Sequence, residues 1–341
     1  MKEFRFSSSI SLLLFSLMLL SCDKEDEFNN TPSGNMEALW QIIDEHYCFL
    51  ESKKINWDSV HAAFMPRAKN VSTQESLLNL MDEMLDILQD GHVNVSTSFN
   101  IARYWEWFEA YPENFDEKIQ KNYLKTDYYI SGGIKYTILD DNIGYIYYSS
   151  FENETGENSM DHILYRLALC RGIIFDIRNN GGGELTNVQN IAASFTDSKV
   201  LTGYISHKTG KGHSDFSKPY PKYLYPRTSS TYNYYKQVVV LTNRNCFSAA
   251  NEFVNTMMQL PNVTIVGDKT GGGSGFPFSS ELPNGWGVRF SSSLSLSPKM
   301  EQIEFGISPD IQVSMTKEDE DKGLDTIIET AREYINNQYL K

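Results

Sequence analysis

The chain has 341 residues, 40% of them apolar and 22% charged, with a formal net charge of −14 at pH 7. A balance this acidic does not suit a partner such as nucleic acid or an anionic membrane face, and four scattered cysteines give neither a disulfide framework nor a zinc site. The length exceeds one small core, so a larger domain with an accessory one is expected.

Lys2 and Arg5 precede the apolar run Ile10–Leu20 and then Ser21-Cys22. That run is short for a membrane span, and residues 1–21 read as an export signal. Leu19-Leu20-Ser21-Cys22 resembles the lipobox of bacterial lipoproteins, which implies cleavage before Cys22 and a lipid on its sulfur. The other reading is an ordinary cleaved signal with an incidental cysteine. On the lipobox reading the mature chain is extracytoplasmic and anchored to a bacterial membrane, the outer one being expected, with its periplasmic and surface faces both open. Removing residues 1–21, which carry Lys2 and Arg5 against Glu3, leaves a net charge of −15. Residues 22–35 start Cys22-Asp23-Lys24-Glu25-Asp26-Glu27 and continue polar, which predicts a disordered tether. The acidic residues are either a solvated spacer or, by resemblance, a surface-export tag.

Residues 36–93 are predicted to form a helical subdomain. Ser72-Thr73-Gln74-Glu75 reads as a capping box, and Leu77, Leu78, Met81, Met84, Leu85 and Leu88 recur on one helical face. Gly91 is expected at the helix C′ position, so that His92 leaves the helix end and enters Val93-Asn94-Val95. Residues 94–133 form an aromatic-rich connection, with Trp105, Trp107, Phe108, Tyr111 and Phe115 close together. They suit a packing surface or one wall of a cleft.

From residue 134 to 315 strands alternate with helices. Ile134–Leu139 and Ile143–Tyr148 flank a hairpin-like turn at Asp140-Asp141-Asn142. A helix over His162–Cys170, a strand over Gly172–Ile177, a helix over Leu185–Phe195 and a strand over Val238–Leu241 follow. Next come a helix over Ala249–Met258 and strands at Val263–Val266, Trp286–Ser291, Leu294–Leu296 and Ile311–Ser314. The fold class is α/β, a mainly parallel sheet with helices on both faces plus the N-terminal helical subdomain. Residues 316–341 are expected to hold one last helix, Lys317–Tyr339, with Leu324, Ile327, Ile328 and Ala331 on one side.

Ser248 sits where the strand Val238–Leu241 gives way to a helix. It is either an N-cap or a nucleophile whose neighbouring N–H groups hold a developing negative charge. Gly181-Gly182-Gly183 ends another strand and suits an oxyanion loop or a flexible turn. A second cluster, Gly271-Gly272-Gly273, follows Val263–Val266, and loops at the carboxyl ends of such strands line a crevice. Neither a dinucleotide fingerprint nor a P-loop fits, and no cofactor is expected. His46, His61, His92, His162, His207 and His213 form no metal-binding motif, so no metal is expected either.

Together these residues resemble the C-terminal processing peptidase and tricorn family of serine peptidases, over Leu88–Val95 and Ile134–Val313. The motifs are Gln89-Asp90-Gly91-His92, Asp176-Ile177-Arg178-Asn179-Asn180-Gly181-Gly182-Gly183 and Cys246-Phe247-Ser248-Ala249-Ala250-Asn251-Glu252-Phe253, then Gly267-Asp268-Lys269-Thr270-Gly271-Gly272-Gly273 and Gly306-Ile307-Ser308-Pro309-Asp310. The resemblance implies a ClpP/crotonase-like fold acting on peptide or protein substrates. In its processing-peptidase branch a lysine three residues after the Gly-x-x-Thr threonine is the base, and here Gly273 stands there, with Lys269 on the other side of Thr270. The chain is therefore similar to the tricorn-like branch, with His92 as base, Ser248 as nucleophile, Gly183 and Ala249 as oxyanion donors, and Gly182, Gly272 and Gly273 in the substrate cleft.

Two positions depart from that branch. Gly91 replaces the serine before the histidine, and Ile303 stands where a glutamate is expected. Glu304, one residue on, is taken as the group that orients His92, with Glu301 behind it or Ser96 as a substitute. The connection between His92 and Ile134, about 40 residues, is too short for the PDZ module of the processing branch. The alternative function is a non-catalytic lipoprotein that binds a peptide or small ligand on the same fold.

Overall fold

The computed structural model describes residues 28–152, 155–156, 158–228 and 232–340; the expected export signal, Cys22 and residues 23–27 of the tether lie outside the described residues. Three helices come first, α1 (Pro32–His46), α2 (Trp57–Ala68) and α3 (Gln74–Asp86). Thr31, Asn56 and Thr73 cap them by accepting first-turn N–H groups. α1 begins inside the predicted tether, because Thr31 caps it and Pro32 fills a position where a missing N–H costs nothing. The capping box of α3 joins Thr73 to Ser76, one residue on from the predicted pair. α3 stops at Asp86, and Gln89 takes the left-handed conformation (φ 47°) expected of Gly91. The apolar faces of the three helices pack with Trp57, Val95, Trp286 and Phe290 into one core, each large side chain contributing about 1.5–3 kcal/mol.

The connection to the main sheet holds β1 (Asn94–Ser96), β2 (Ile101–Arg103), short helices α4 (Glu106–Glu109) and α5 (Glu117–Leu124), and β3 (Tyr129–Ser131). Then come β4 (Ile134–Ile138), β5 (Gly144–Tyr147), α6 (Ser159–Leu167), β6 (Ile173–Asp176), α7 (Leu185–Ala192), β7 (Val200–His207) and β8 (Tyr220–Leu224). β9 (Val238–Thr242), α8 (Ala249–Met257), β10 (Val263–Gly267), β11 (Pro277–Glu281), β12 (Gly287–Ser291), β13 (Ser293–Leu296) and β14 (Ile311–Gln312) follow. The chain ends in α9 (Lys317–Glu320) and α10 (Thr326–Tyr339).

The main sheet runs β14-β10-β9-β6-β5-β4-β3, parallel from β14 to β5 and antiparallel at β4 and β3. β6 and β9 lie in its middle and are buried on both faces, which is why their sequences are unbroken apolar runs. Their side chains alternate: Ile173, Phe175, Val238 and Val240 face a core shared with α6, α7 and α8, while Ile174, Val239 and Leu241 face one shared with α5 and α10. A smaller antiparallel sheet, β11-β12-β1-β2, stitches the helical subdomain to the core through β1 and β12. A third, β13-β7-β8, uses two strands that carry no strong sequence pattern.

The predicted last helix is two helices. Gly323 turns the chain in the left-handed region (φ 74°) and Asp325 caps α10 through the N–H groups of Ile327 and Ile328. Leu324 therefore falls in the break and is exposed, while Ile327, Ile328 and Ala331 are buried as predicted.

Candidate active site

β9 and α8 are joined by a turn whose backbone is tied down on two sides. Phe247 N–H donates to Asn180 O (3.1 Å), Ser248 N–H to Gly272 O (2.8 Å) and Gly271 N–H to Cys246 O (2.8 Å). The turn thus lies between the two glycine-rich loops. Ser248 has φ 58° and ψ −119°, a conformation that costs a residue with a Cβ about 1–3 kcal/mol and persists only where the surroundings impose it. Its side chain makes no capping bond to α8. Instead its Oγ stands 3.0 Å from His92 Nε2, a contact that spans 156 residues of sequence. The N-cap reading fails because the strained turn aims the hydroxyl out of the helix.

His92 is 5% exposed. Its ring packs on Phe247 (centroids 4.6 Å apart), which stacks in turn on Trp107 (4.1 Å). Part of the aromatic connection therefore backs the site. Burial lowers the imidazole pKa to about 4; Asp90 opposes the shift, and Arg289, Arg103 and Lys53 reinforce it.

The orienting group is not Glu304. His92 Nδ1 is buried and has no hydrogen-bond partner among the described residues, so Glu304, Glu301 and Ser96 all fail to hold it. Glu304 is turned toward Ser274 N–H (2.7 Å) and Lys53 Nζ (3.7 Å); Glu301 is exposed; Ser96 is exposed and donates to Gly287 O. What fixes His92 is its backbone, whose N–H donates to Asp90 Oδ1 (2.8 Å). Asp90 also accepts from Tyr47 and Ser291 and lies 3.8 Å from Lys53. Burial pushes its carboxyl up, but Lys53 and His92 outweigh burial and hold it below its ordinary value. Glu304 moves the other way, to about 8, through burial first and Asp90 second. One half-buried lysine serves two carboxyls, so the 3.7 Å Lys53–Glu304 contact is not a pair of full charges at neutral pH. Nothing in the sequence flags Lys53, whose partners come from distant segments; Asp90 could have been found two residues before His92.

The departure at Gly91 has a steric cause, since a Cβ there would lie 2.6 Å from Trp107 Nε1. Gly182 approaches Ser248 most directly: with φ 104°, its missing Cβ would fall 2.8 Å from Ser248 Cβ and 2.9 Å from Ala249 N. Ala249 N–H opens the first turn of α8, where no helical carbonyl precedes it. Gly183 (φ 136°) is exposed and lies beside the backbone of Phe151 and Glu152. Gly272 and Gly273, expected in the substrate cleft, are closely packed. Both are buried, Gly272 because its α-carbon abuts Glu304 O and Gly273 because it abuts the Phe247 ring. Lys269 is exposed, and Thr270 donates to Asn251 and accepts from Ile307 N–H within the core.

Cys48, Cys170 and Cys246 are buried and free. Burial pushes the Cys246 thiol up to about 12, so it is no thiolate beside Ser248. Among the described residues no three His, Cys, Asp or Glu side chains are grouped to hold a metal.

Residues 142–313 match peptidase family S41, and residues 28–86 match the tricorn protease C1 domain. Carboxyl-terminal-processing peptidase 3, chloroplastic, of Arabidopsis thaliana is 23% identical over 209 residues, 57% of this chain; the chain spans only 37% of the length of that relative. A crystal structure from Parabacteroides merdae, described as that of a candidate peptidase, is 49% identical with a TM-score of 0.86 over 90% of this chain and 97% of that one. The fold is shared with mature CPAF complexed with lactacystin (11% identical, TM-score 0.68, 91% of this chain and 97% of that one). It is also shared with the photosystem II D1 C-terminal processing protease (14%, 0.53, 84% and 94%). The family match covers half of the chain and includes both glycine loops and the Ser248 turn, and the chain belongs to peptidase family S41, a family of serine-type peptidases.

Proposed function

We propose that the protein is an extracytoplasmic, lipid-anchored serine endopeptidase with Ser248 as nucleophile and His92 as general base. The observation that carries this reading is the 3.0 Å contact between Ser248 Oγ and His92 Nε2, made by a serine held in a strained turn. A pKa lowered to about 4 leaves His92 neutral, and so able to accept a proton, throughout the neutral range.

As Ser248 Oγ attacks the peptide carbonyl, its proton passes to His92 Nε2. The oxyanion accepts bonds from the N–H groups of Gly183 and Ala249, each worth about 3 kcal/mol in the barrier. The imidazolium formed is offset by the nearby Asp90 carboxylate, whose charge favours it. His92 then gives the proton to the leaving amine, and water, deprotonated by His92, hydrolyses the acyl-enzyme. The substrate is a peptide or protein, and this sequence of steps uses no cofactor. Extracytoplasmic placement and lipid on Cys22 rest on the apolar run Ile10–Leu20 and on Leu19-Leu20-Ser21-Cys22.

The test is labelling with a fluorophosphonate probe alongside Ser248→Ala and His92→Ala variants, followed by digestion of a peptide library. Labelling and cleavage are expected for the wild type alone. Absence of both in the wild type, or full activity in Ser248→Ala, overturns the assignment in favour of a non-catalytic binder. Metabolic palmitate labelling that is lost in Cys22→Ser tests the anchor.

A further inference from the structure

A cavity of about 530 Å³ lies beside the Ser248 turn. Gly91, which precedes His92, and Phe247, which precedes Ser248, line it, whereas His92, Ser248, Gly182 and Gly183 do not. Its volume is that of a small-molecule site.

Its charge is out of keeping with the chain. Arg244 and Lys269 both line it, and neither has a carboxylate within 4 Å among the described residues, in a protein of net charge −14; the charge of Asp268 acts on Arg244 from farther off. Arg244 is set in place: its Nε donates to Trp107 O, its Nη1 to Thr270 O (3.3 Å), and its guanidinium lies 4.0 Å from the Tyr111 ring centroid. Two carboxyl groups also face the cavity, Glu106, which is exposed, and Glu304, already bonded to Ser274 N–H. Lys53, a third cation in the wall, has Asp90 beside it. Tyr104 and Trp107 supply flat apolar surface.

We propose that this cavity binds a small organic carboxylate on a planar apolar body, and that its occupancy is felt at Ser248 and His92 through Phe247. A carboxylate would take a charge-assisted bond from Arg244 and the field of Lys269, and the planar body would lie along Trp107 and Tyr104. Phe247 stacks on Trp107 at 4.1 Å and packs on His92 at 4.6 Å, so a ligand that moves Trp107 moves the base. The binding claim is independent of the catalytic reading; the coupling claim rests on it.

Calorimetric titration of the full chain with 2-naphthoate and with the uncharged 2-naphthamide tests the binding. The expected result is one saturable site for 2-naphthoate, with the amide, Arg244→Gln and Lys269→Gln each weaker by about tenfold or more. Lys269 is exposed, so Lys269→Gln decides the matter if Arg244→Gln misfolds. No heat at millimolar ligand, equal affinity for the amide, or wild-type affinity in Lys269→Gln overturns the site. For the coupling, the rate of fluorophosphonate labelling at saturating 2-naphthoate should change by about threefold or more. An unchanged rate in a protein that binds and labels overturns the coupling and leaves the site standing; a protein that binds but never labels sinks the catalytic reading and leaves the site intact.

Discussion

His92 has its working range set by burial. A free imidazole titrates at 6.5, and in the folded protein the value is about 4, because water is excluded and only Asp90 favours the charged ring. For a neutral peptide substrate, kcat/KM should fall on the acid side with a midpoint near 4, so that activity at pH 5.5 stays close to that at pH 7. A pH–rate profile with a midpoint between 6 and 7 would show an imidazole in contact with water and refute the argument. The neighbouring glycines give a contrast within one loop. Gly182 combines φ 104° with a site where a Cβ meets Phe247 O and Ser248 Cβ at 2.8 Å, whereas a Cβ on Gly181 meets nothing within 4 Å. Gly182→Ala should lower kcat by about 100-fold or more, by displacing Ser248 from its oxyanion donors. Gly181→Ala should leave kcat and melting temperature near wild type. Equal effects of the two changes, read by peptide hydrolysis and thermal unfolding, would mean that the loop is merely a flexible turn.

The elements that carry these residues meet at a buried charge cluster. Arg178, at the end of β6, is fully buried, bonds Asp176 through Nε and Nη2, and reaches Asp325 at the start of α10 through Nη1 (2.9 Å). It therefore joins the strand that leads into the Gly181–Gly183 loop to the helix on the opposite face of the sheet. Arg178→Met would leave two buried carboxylates without their cation and should destabilise the protein by about 3–5 kcal/mol in urea unfolding. Arg178→Lys should recover only part, since one ammonium cannot reproduce the fork that spans both carboxylates. A loss below about 1 kcal/mol in Arg178→Met would show that the cluster is hydrated rather than dry. The cluster also marks where sequence reading stops. β6 and β9 were legible as elements because burial on both faces forces unbroken apolar runs. Ser248 and the glycine loops were legible because a strained turn and a close backbone approach restrict residue type locally. β7 and β8 were not, since they are half-covered and mix polar with apolar side chains. Glu304 was misplaced for a similar reason: neighbouring positions in a loop differ in direction, and only the fold decides that Glu304 turns to Ser274 and Lys53. Lys53 itself was invisible, as its role is created by Asp90 and Glu304 arriving from elsewhere.

At the scale of the whole molecule, His92 and Glu304 impose opposite pH dependences on stability. His92 is neutral in the folded chain down to about 4, while its unfolded counterpart takes up a proton below 6.5, so the unfolded state binds more protons and stability is lost as pH falls through that window. Glu304 stays protonated in the folded chain up to about 8, whereas the unfolded carboxyl ionises above 4.5. Stability is therefore lost as pH rises through that second window. Between about 4.5 and 6.5 the two slopes cancel, and above 6.5 Glu304 acts alone until about pH 8. At about 1.4 kcal/mol per pH unit this costs the wild type about 2 kcal/mol. Glu304→Gln keeps an acceptor for Ser274 N–H and removes the ionisation, so its stability should stay flat where that of the wild type declines. Because every other titrating group is common to both proteins, the difference between their urea unfolding free energies from pH 5 to 9 isolates this one carboxyl. A difference that does not grow with pH between 6.5 and 8 would mean that Glu304 is ionised in the fold, that its 3.7 Å approach to Lys53 is a full ion pair, and that the lysine carries two negative partners at once.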